Sequence, residues 1–479
     1  MVTGVEVPPP EIEKRYQFIH DVLSRTYVRH IEPVGEKSWT ERIDSVVTNK
    51  WAAFPIFIVI LYLIFQATFS LGNYPMNWID WLVGKFGGFV ASFMKEGWLK
   101  DVLVDGVIAG VGSVLVFLPN ILILYFFLSI MEDTGYMARA AFIMDKLMHR
   151  MGLHGKSFIP YIIGFGCSVP AIMATRTLEN RKDRILTIIT VPFMSCSARL
   201  PVYLLLISAF FTKHQGLILT SIYLLGIVMA VVTSLIVKKA AFKHERDQFV
   251  MELPPYRIPT FRNAVINMWD KSVQYLKKMG TVILVATVII WALEYFPQHS
   301  PAIDAYTAQI EQVEADGTLD EGVKAERVAQ LELDRSACQI ENSYIGRFGK
   351  FVAPVFRPLG FDWQMGVSLI TGFAAKEIVV SSMGVLYHSD AEADENSSAL
   401  QKSLQTHTWS SGPDVGKPVF TPWVAFGYMV FILLYFPCVA ALTAVKRESN
   451  GKWMLFTAVY TTTVAWLAAF LVRLISMAV

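Results

Sequence analysis

Apolar residues in this chain come in long unbroken runs, not in the alternation of strands. The stretches 51–71, 107–131, 185–211, 216–237, 280–296, 420–445 and 453–475 are each long enough to cross about 30 Å of hydrocarbon as a helix. Pro119-Asn120 inside the second of them predicts a break there. Two more apolar stretches do not read as clean spans. Residues 157–177 are interrupted by Pro160, Gly164, Gly166 and Pro170, and 363–387 contain Gly372 and the charged pair Lys376-Glu377. In lipid a freed carbonyl is tolerated only against protein or a wet cavity, so both read as re-entrant hairpins. Amphipathic patterns place 74–94, 140–151 and 344–358 at an interface. Ile12, Tyr16, Ile19 and Leu23 have helical spacing and predict a short cytoplasmic helix over 11–27, after the linker Pro8-Pro9-Pro10.

The order of elements repeats. Span, amphipathic helix, hairpin, span, span occurs over 107–237 and again over 280–479. The first unit starts from one side of the membrane and the second from the other, an inverted arrangement that many transporters share. Between them, 238–279 carries Lys238, Lys239, Lys243, Arg246, Arg257, Arg262, Lys271, Lys277 and Lys278, which places it in the cytoplasm. One span later, 297–342 is a mostly acidic insert, expected outside, and 388–418 reads as a polar loop. The pattern therefore predicts an all-α polytopic membrane protein of about seven transmembrane helices plus two hairpins in two inverted repeats. Segment 1–50 precedes the membrane part, and 51–106 supplies a first span and an interfacial segment.

Composition agrees with this. The 479 residues are 54% hydrophobic and only 17% charged, against about 25% charged in soluble proteins. A net charge of +2 with no basic and aromatic cluster excludes a nucleic-acid partner. Four cysteines are too few for a disulfide framework in a chain this long. No secretory leader is visible in 1–50, which is polar, so insertion is expected to start from an internal helix.

The candidate chemistry sits in the interrupted stretches. Cys167 follows the Gly166 break, Cys196 lies between Pro192 and Pro201, and Cys438 follows Pro437 in the corresponding place of the second unit. A buried cysteine is commonly an inert small hydrophobe, and small residues also serve close helix packing. Three thiols beside helix breakers in related positions point instead to soft or borderline metal ligation, to which carboxylates add affinity for divalent iron or manganese. Met194 lies two residues from Cys196. Charges in apolar surroundings cost at least a few kcal/mol, which singles out Glu377, its neighbour Lys376, and Glu132 and Asp133 at the end of the second span. Lys376 and Glu377 can also simply neutralise each other, and Arg199 can anchor a helix end or gate cations. Gly152-Leu153-His154-Gly155-Lys156-Ser157 ends like a phosphate-binding loop but has Arg150 where the motif needs glycine, so no nucleotide site is expected.

The strings Met131-Glu132-Asp133-Thr134-Gly135-Tyr136-Met137-Ala138-Arg139, Gly152-Leu153-His154-Gly155-Lys156-Ser157-Phe158-Ile159-Pro160 and Gly164-Phe165-Gly166-Cys167-Ser168-Val169-Pro170-Ala171-Ile172-Met173-Ala174-Thr175-Arg176 resemble the bacterial ferrous iron transport protein B family. The resemblance runs from about Tyr16 nearly to the end. It implies gate-type repeats like those of nucleoside transporters, a multi-pass place in the bacterial inner membrane, and Fe2+ as the transported substrate. It also implies that Cys167, Cys196 and Cys438 line the path, with Glu132, Asp133 and Glu377 as charged way-stations. The family's GTP-binding and helical coupling domains have no counterpart in these residues. Any GTPase activity is then expected of a missing or separate G domain, which joins small accessory proteins, membrane lipids and a second copy of the chain among the expected partners. A transporter of nucleosides or other small solutes, or a membrane scaffold, are the rival expectations.

Overall fold

Helices make up the regular structure of the described residues in this computed structural model, apart from one isolated bridge between Thr408 and Pro418. The structure describes 17–19, 21–22, 39–49, 51–95, 97–241, 255–297, 301–315, 321–387, 397–409 and 415–478. Most of the helix expected over 11–27 lies outside them. The chain divides into units 1–53 and 54–479. In the first, α1 (Trp39–Val47) ends where Thr48 Oγ1 donates to the Asp44 carbonyl at 2.6 Å.

The second unit begins with α2 (Ala53–Phe93), one helix of 41 residues that would reach about 60 Å at 1.5 Å per residue. The pattern predicts a span followed by an interfacial segment, but the helix passes straight through Pro75. A turn at Trp98–Asp101 and a π-helical segment at Val102–Ile108 lead into α3 (Ala109–Asp133). Pro119 does not break α3, contrary to expectation. Beside it α2 packs closely. Asn120 Nδ2 meets Met76 Sδ at 2.7 Å, and α2 presents Gly72 to the Asn120 side chain, where any Cβ would collide.

After α4 (Tyr136–Met151), the first hairpin consists of α5 (Phe158–Gly166) and α6 (Ser168–Ala174). The expected span over 185–211 is a split helix: α7 (Arg181–Thr190), two 3-10 turns, then α8 (Leu200–Phe210). A continuous α9 (Gln215–Ala241) closes this half. The second half starts with α10 (Phe261–Tyr295), so 261–278 of the basic segment is helical and continuous with the next span. The acidic insert folds as α11 (Pro301–Ala315) and α12 (Glu321–Asn342), followed by α13 (Tyr344–Phe356). The second hairpin is α14 (Trp363–Thr371) and α15 (Ile378–Leu386). The region read as a loop contains α16 (Ser398–Thr406), whose Leu400 and Leu404 are fully buried. Another split helix, α17 (Pro422–Leu434) and α18 (Val439–Glu448), precedes the last span, α19 (Gly451–Ala478).

Six of these stretches are long and apolar enough to cross a membrane, and 280–295 adds a shorter apolar end of α10. The chain is an all-helical polytopic membrane protein. Its two halves show the same order of elements. Counterparts also meet each other. α3 and α10 run antiparallel: Gly110 faces Thr287, Gly106 faces Trp291, and Asn267 Nδ2 donates to Ser129 Oγ at 3.3 Å. The second arm of each hairpin packs on the second part of the other half's split helix, α6 on α18 and α15 on α8. Burial follows this plan. The most apolar window is 72% buried in the first split helix and 78% in the second, against 17% in α2 and 22% in α9 and α19. The irregular elements form the centre and the straight ones the rim.

Candidate functional site

Four interruptions of helix meet at this centre. In the first hairpin the chain is extended at Cys167 (φ −153°, ψ 131°) between α5 and α6. Space is tight just before it: a Cβ on Gly164 would stand 3.2 Å from Met194, and one on Gly166 would stand 3.1 Å from Leu124 and 3.2 Å from Phe65. In the first split helix, Pro192 and Pro201 bracket the extended residues Met194 to Cys196. The carbonyls freed there go to Arg199, which is 1% exposed and donates to Met194 O at 3.3 Å and Pro192 O at 3.2 Å. The second hairpin turns through 372–377, and the second split helix opens at 435–438 around Pro437.

Hydrogen bonds tie each hairpin tip to the split helix of its own half. Ser197 Oγ donates to Gly166 O at 3.1 Å, and Val439 N donates to Phe373 O at 3.0 Å. The result brings together what sequence alone placed in separate segments. Cys438, Cys196 and Glu377 are the charged or ionisable neighbours of Cys167. All three thiols are outside any disulfide and belong to half-buried residues, as does the Glu377 side chain. Met194 is 3% exposed and packs behind them against Gly164.

Three groups here carried weaker sequence signals. Lys376 does not pair with Glu377. Its Nζ, on a residue 3% exposed, donates to Phe436 O at 2.9 Å and stands 3.2 Å from the Tyr435 ring centroid. Tyr435 is 1% exposed, neighbours Arg199, Cys438, Tyr203 and Cys196, and its hydroxyl has no hydrogen-bond partner. Tyr203 is fully buried, with its hydroxyl 3.5 Å from Ser195 Oγ. A tyrosine in an apolar run reads as ordinary core, which is why neither was singled out.

The remaining candidates lie apart from the thiols. Glu132 is exposed at the end of α3 and pairs with Lys271 at 3.0 Å. Beside it Asp133 is half-buried, with Oδ2 enclosed and unpartnered. Among the described residues, no three His, Cys, Asp or Glu side chains are grouped closely enough to hold a metal ion. What the centre offers is a set of thiols and one carboxylate reached from four backbone breaks, with two buried cations beside them.

Comparison with known proteins gives this geometry a context. Residues 114–210 and 276–452, which cover both hairpins and both split helices, match the Gate family, described as nucleoside recognition. Residues 219–271 match the ferrous iron transport protein B C terminus. A Fe(2+) transport protein A/Fe(2+) transporter FeoB fusion protein of Porphyromonas gingivalis is 51% identical over 96% of this chain and 54% of its own length. The Fe(2+) transporter FeoB of Campylobacter jejuni is 40% identical over 96% of this chain and 69% of its own. That of Helicobacter pylori strain J99 is 38% identical over 97% and 71%. The chain thus spans about half the length of the first relative and about two thirds of the others. No solved structure matches it.

Proposed function

This chain belongs to the FeoB ferrous iron transporter family, and from that premise and the thiols gathered at its helix breaks we propose that it forms the path by which Fe2+ crosses a bacterial inner membrane. One observation carries the reading: Cys167, Cys196 and Cys438, drawn from both halves of the fold, interact electrostatically at its centre, and since no three ligating side chains among the described residues are close enough to hold an ion together, they serve as successive contacts on a path. Sulfur with a single carboxylate, Glu377, suits borderline Fe2+ better than the hard cations of the cell. A transport site must also release its ion, and a few ligands on hinged elements do so more readily than a closed cage. Because the thiolate is the ligand form, metal arrival displaces thiol protons. Met194 supports the site from behind as a soft wall, and Glu132 and Asp133 serve as way-stations at the end of α3.

The basic segment 238–278 is inside and the insert 297–342 outside, so Cys338 faces the extracytoplasmic medium. Nucleotide hydrolysis belongs to a G domain or subunit and not to these residues. The name of the Porphyromonas relative joins a transport protein A to its transporter, and a small accessory protein of that kind is a partner for this chain too.

The test is Fe2+ uptake into proteoliposomes, with and without an added G domain. Cys167→Ser and Cys196→Ser each lower the rate at least roughly tenfold, as loss of a soft donor should. Cys438→Ser lowers it less, and Cys338→Ser leaves it unchanged. Uptake at the parental rate by the triple variant Cys167→Ser, Cys196→Ser, Cys438→Ser defeats the reading. So does saturable uptake of a labelled nucleoside in place of iron, the rival that the Gate description favours.

A further inference from the structure

Lys376 is a buried ammonium with too few partners. A lysine has three N–H donors, and burying its charge is costly unless they are used. Here one donor meets Phe436 O at 2.9 Å, the charge lies 3.2 Å from the Tyr435 ring centroid and 5.3 Å from that of Phe436, and no carboxylate pairs with it. Its charged and ionisable neighbours are Arg199, Cys438, Cys196 and Glu377, the same groups that surround the thiols. A carbonyl freed by a helix break, an aromatic face and polarisable sulfur together make a cation-binding environment, and the cation present in it belongs to the protein.

With Lys376 protonated, a divalent ion reaching Cys438 and Cys196 would meet two positive charges. Like charges a few ångströms apart in a poorly solvated interior repel strongly, so one of them has to move. Arg199 is the harder to displace. Its guanidinium is buried and bonds two carbonyls of its own break, Met194 O and Pro192 O. Lys376 holds one carbonyl from the end of a flexible four-carbon stem, on the non-helical turn 372–377. That turn is tied to the split helix by two bonds, Lys376 to Phe436 O and Val439 N to Phe373 O. Losing the first leaves the second alone.

We propose that the Lys376 ammonium is a built-in competitor of the transported metal, which must displace it from the Phe436 carbonyl and the Tyr435 ring, so that loading the thiol site releases the tip of the second hairpin. The proposal rests on the reading of the thiols as the metal path, and it adds what the empty site holds and how filling it is felt by a moving element.

The experiment uses the purified chain in detergent with Co2+ as the probe, read by thiolate-to-metal absorption, with amide exchange of 372–377 as a second readout. The parent shows the band, and Cys196→Ser with Cys438→Ser abolishes it. Lys376→Met and Lys376→Gln tighten Co2+ binding at least roughly tenfold, because a like charge is gone. Lys376→Arg, which keeps the charge, does not. In the parent, exchange in 372–377 rises on adding Co2+. In Lys376→Met it is already raised without metal. A parent with no thiolate band refutes the metal path itself. A parent that binds Co2+ through its thiols, with unchanged affinity in Lys376→Met and Lys376→Gln, refutes the competitor alone. So does a parent whose 372–377 exchange is indifferent to Co2+, a result that needs no variant to fold.

Discussion

The bases of the two hairpins are held in different ways. At the base of the first, Arg176 follows α6 and Arg184 lies on α7, and both reach Glu448 at the end of α18 in the other half. Arg176 Nε lies 2.7 Å from Glu448 Oε2 and Arg184 Nη2 lies 3.0 Å from it, and the carboxylate side chain is only 3% exposed. At the base of the second, the tie is internal. Asp362 caps α14 by accepting from Met365 N at 2.8 Å, and Tyr387, just past α15, donates its hydroxyl to Asp362 Oδ1 at 2.9 Å. Gln364 Nε2 adds a bond to Leu386 O at 3.1 Å, and His407 approaches Asp362 at 3.6 Å. The first hairpin is thus clamped across the repeat boundary by charge. The second is a self-stapled unit, and it meets the split helix at its tip and also at its base, where Tyr428 donates to Met365 O at 3.3 Å and Phe361 packs on Tyr428 and Phe431.

Removing the clamp should have the largest effect. Glu448→Ala removes the shared acceptor of two guanidinium groups that are themselves 46% and 32% exposed, and should cost about 1.5–3 kcal/mol, as loss of charge-assisted hydrogen bonds does. Thermal unfolding in detergent measures it. If Glu448→Ala costs no more than Asp362→Ala, the clamp is not the stronger tie and the comparison fails.

The second base should respond to pH through Asp362. Asp362 stands outside the spanning segments, and burial pushes its carboxyl from the usual 3.8 up to about 6, against the opposing pull of the hydrogen bonds from Met365 N and Tyr387. The fold therefore favours the neutral acid. Its contribution is complete below pH 3.8 and is lost as pH rises through about 6. At about 1.4 kcal/mol per unit, the swing is about 3 kcal/mol at most. Asp362→Asn should flatten that part of the stability–pH curve. Equal curves for parent and Asp362→Asn would remove the contrast. The smallest effect is expected from Lys156, whose pair with Glu179 at 3.0 Å is solvent-facing on the first hairpin's approach. Lys156→Ala should stay within about 0.5 kcal/mol of the parent.

Much of this plan is legible in the sequence because hydrocarbon imposes one simple rule, that a crossing segment be apolar and helical. The seven apolar runs, the two interrupted stretches and the repeated order of elements all follow from it. Proline carries less information in the same runs. Pro119 reads as a break and is absorbed by α3, whereas Pro192, Pro201 and Pro437 sit at real breaks. The difference lies in what receives the freed backbone, Arg199 in the first split helix and the Phe373 carbonyl with Lys376 in the second. Those receivers are distant in sequence.

By itself, then, the sequence determined the class of fold, the places where helix hydrogen bonding fails and the thiols beside those places, since each depends on a residue and its near neighbours. Tertiary structure decided which failures meet. Only packing sets Cys167 beside Cys196 and Cys438, or turns Lys376 from its neighbour Glu377 to the Phe436 carbonyl. Only packing brings Arg176 to Glu448 across 272 positions of chain. A buried charge or open carbonyl takes whatever partner the folded neighbourhood offers, and that neighbourhood is built from both halves at once.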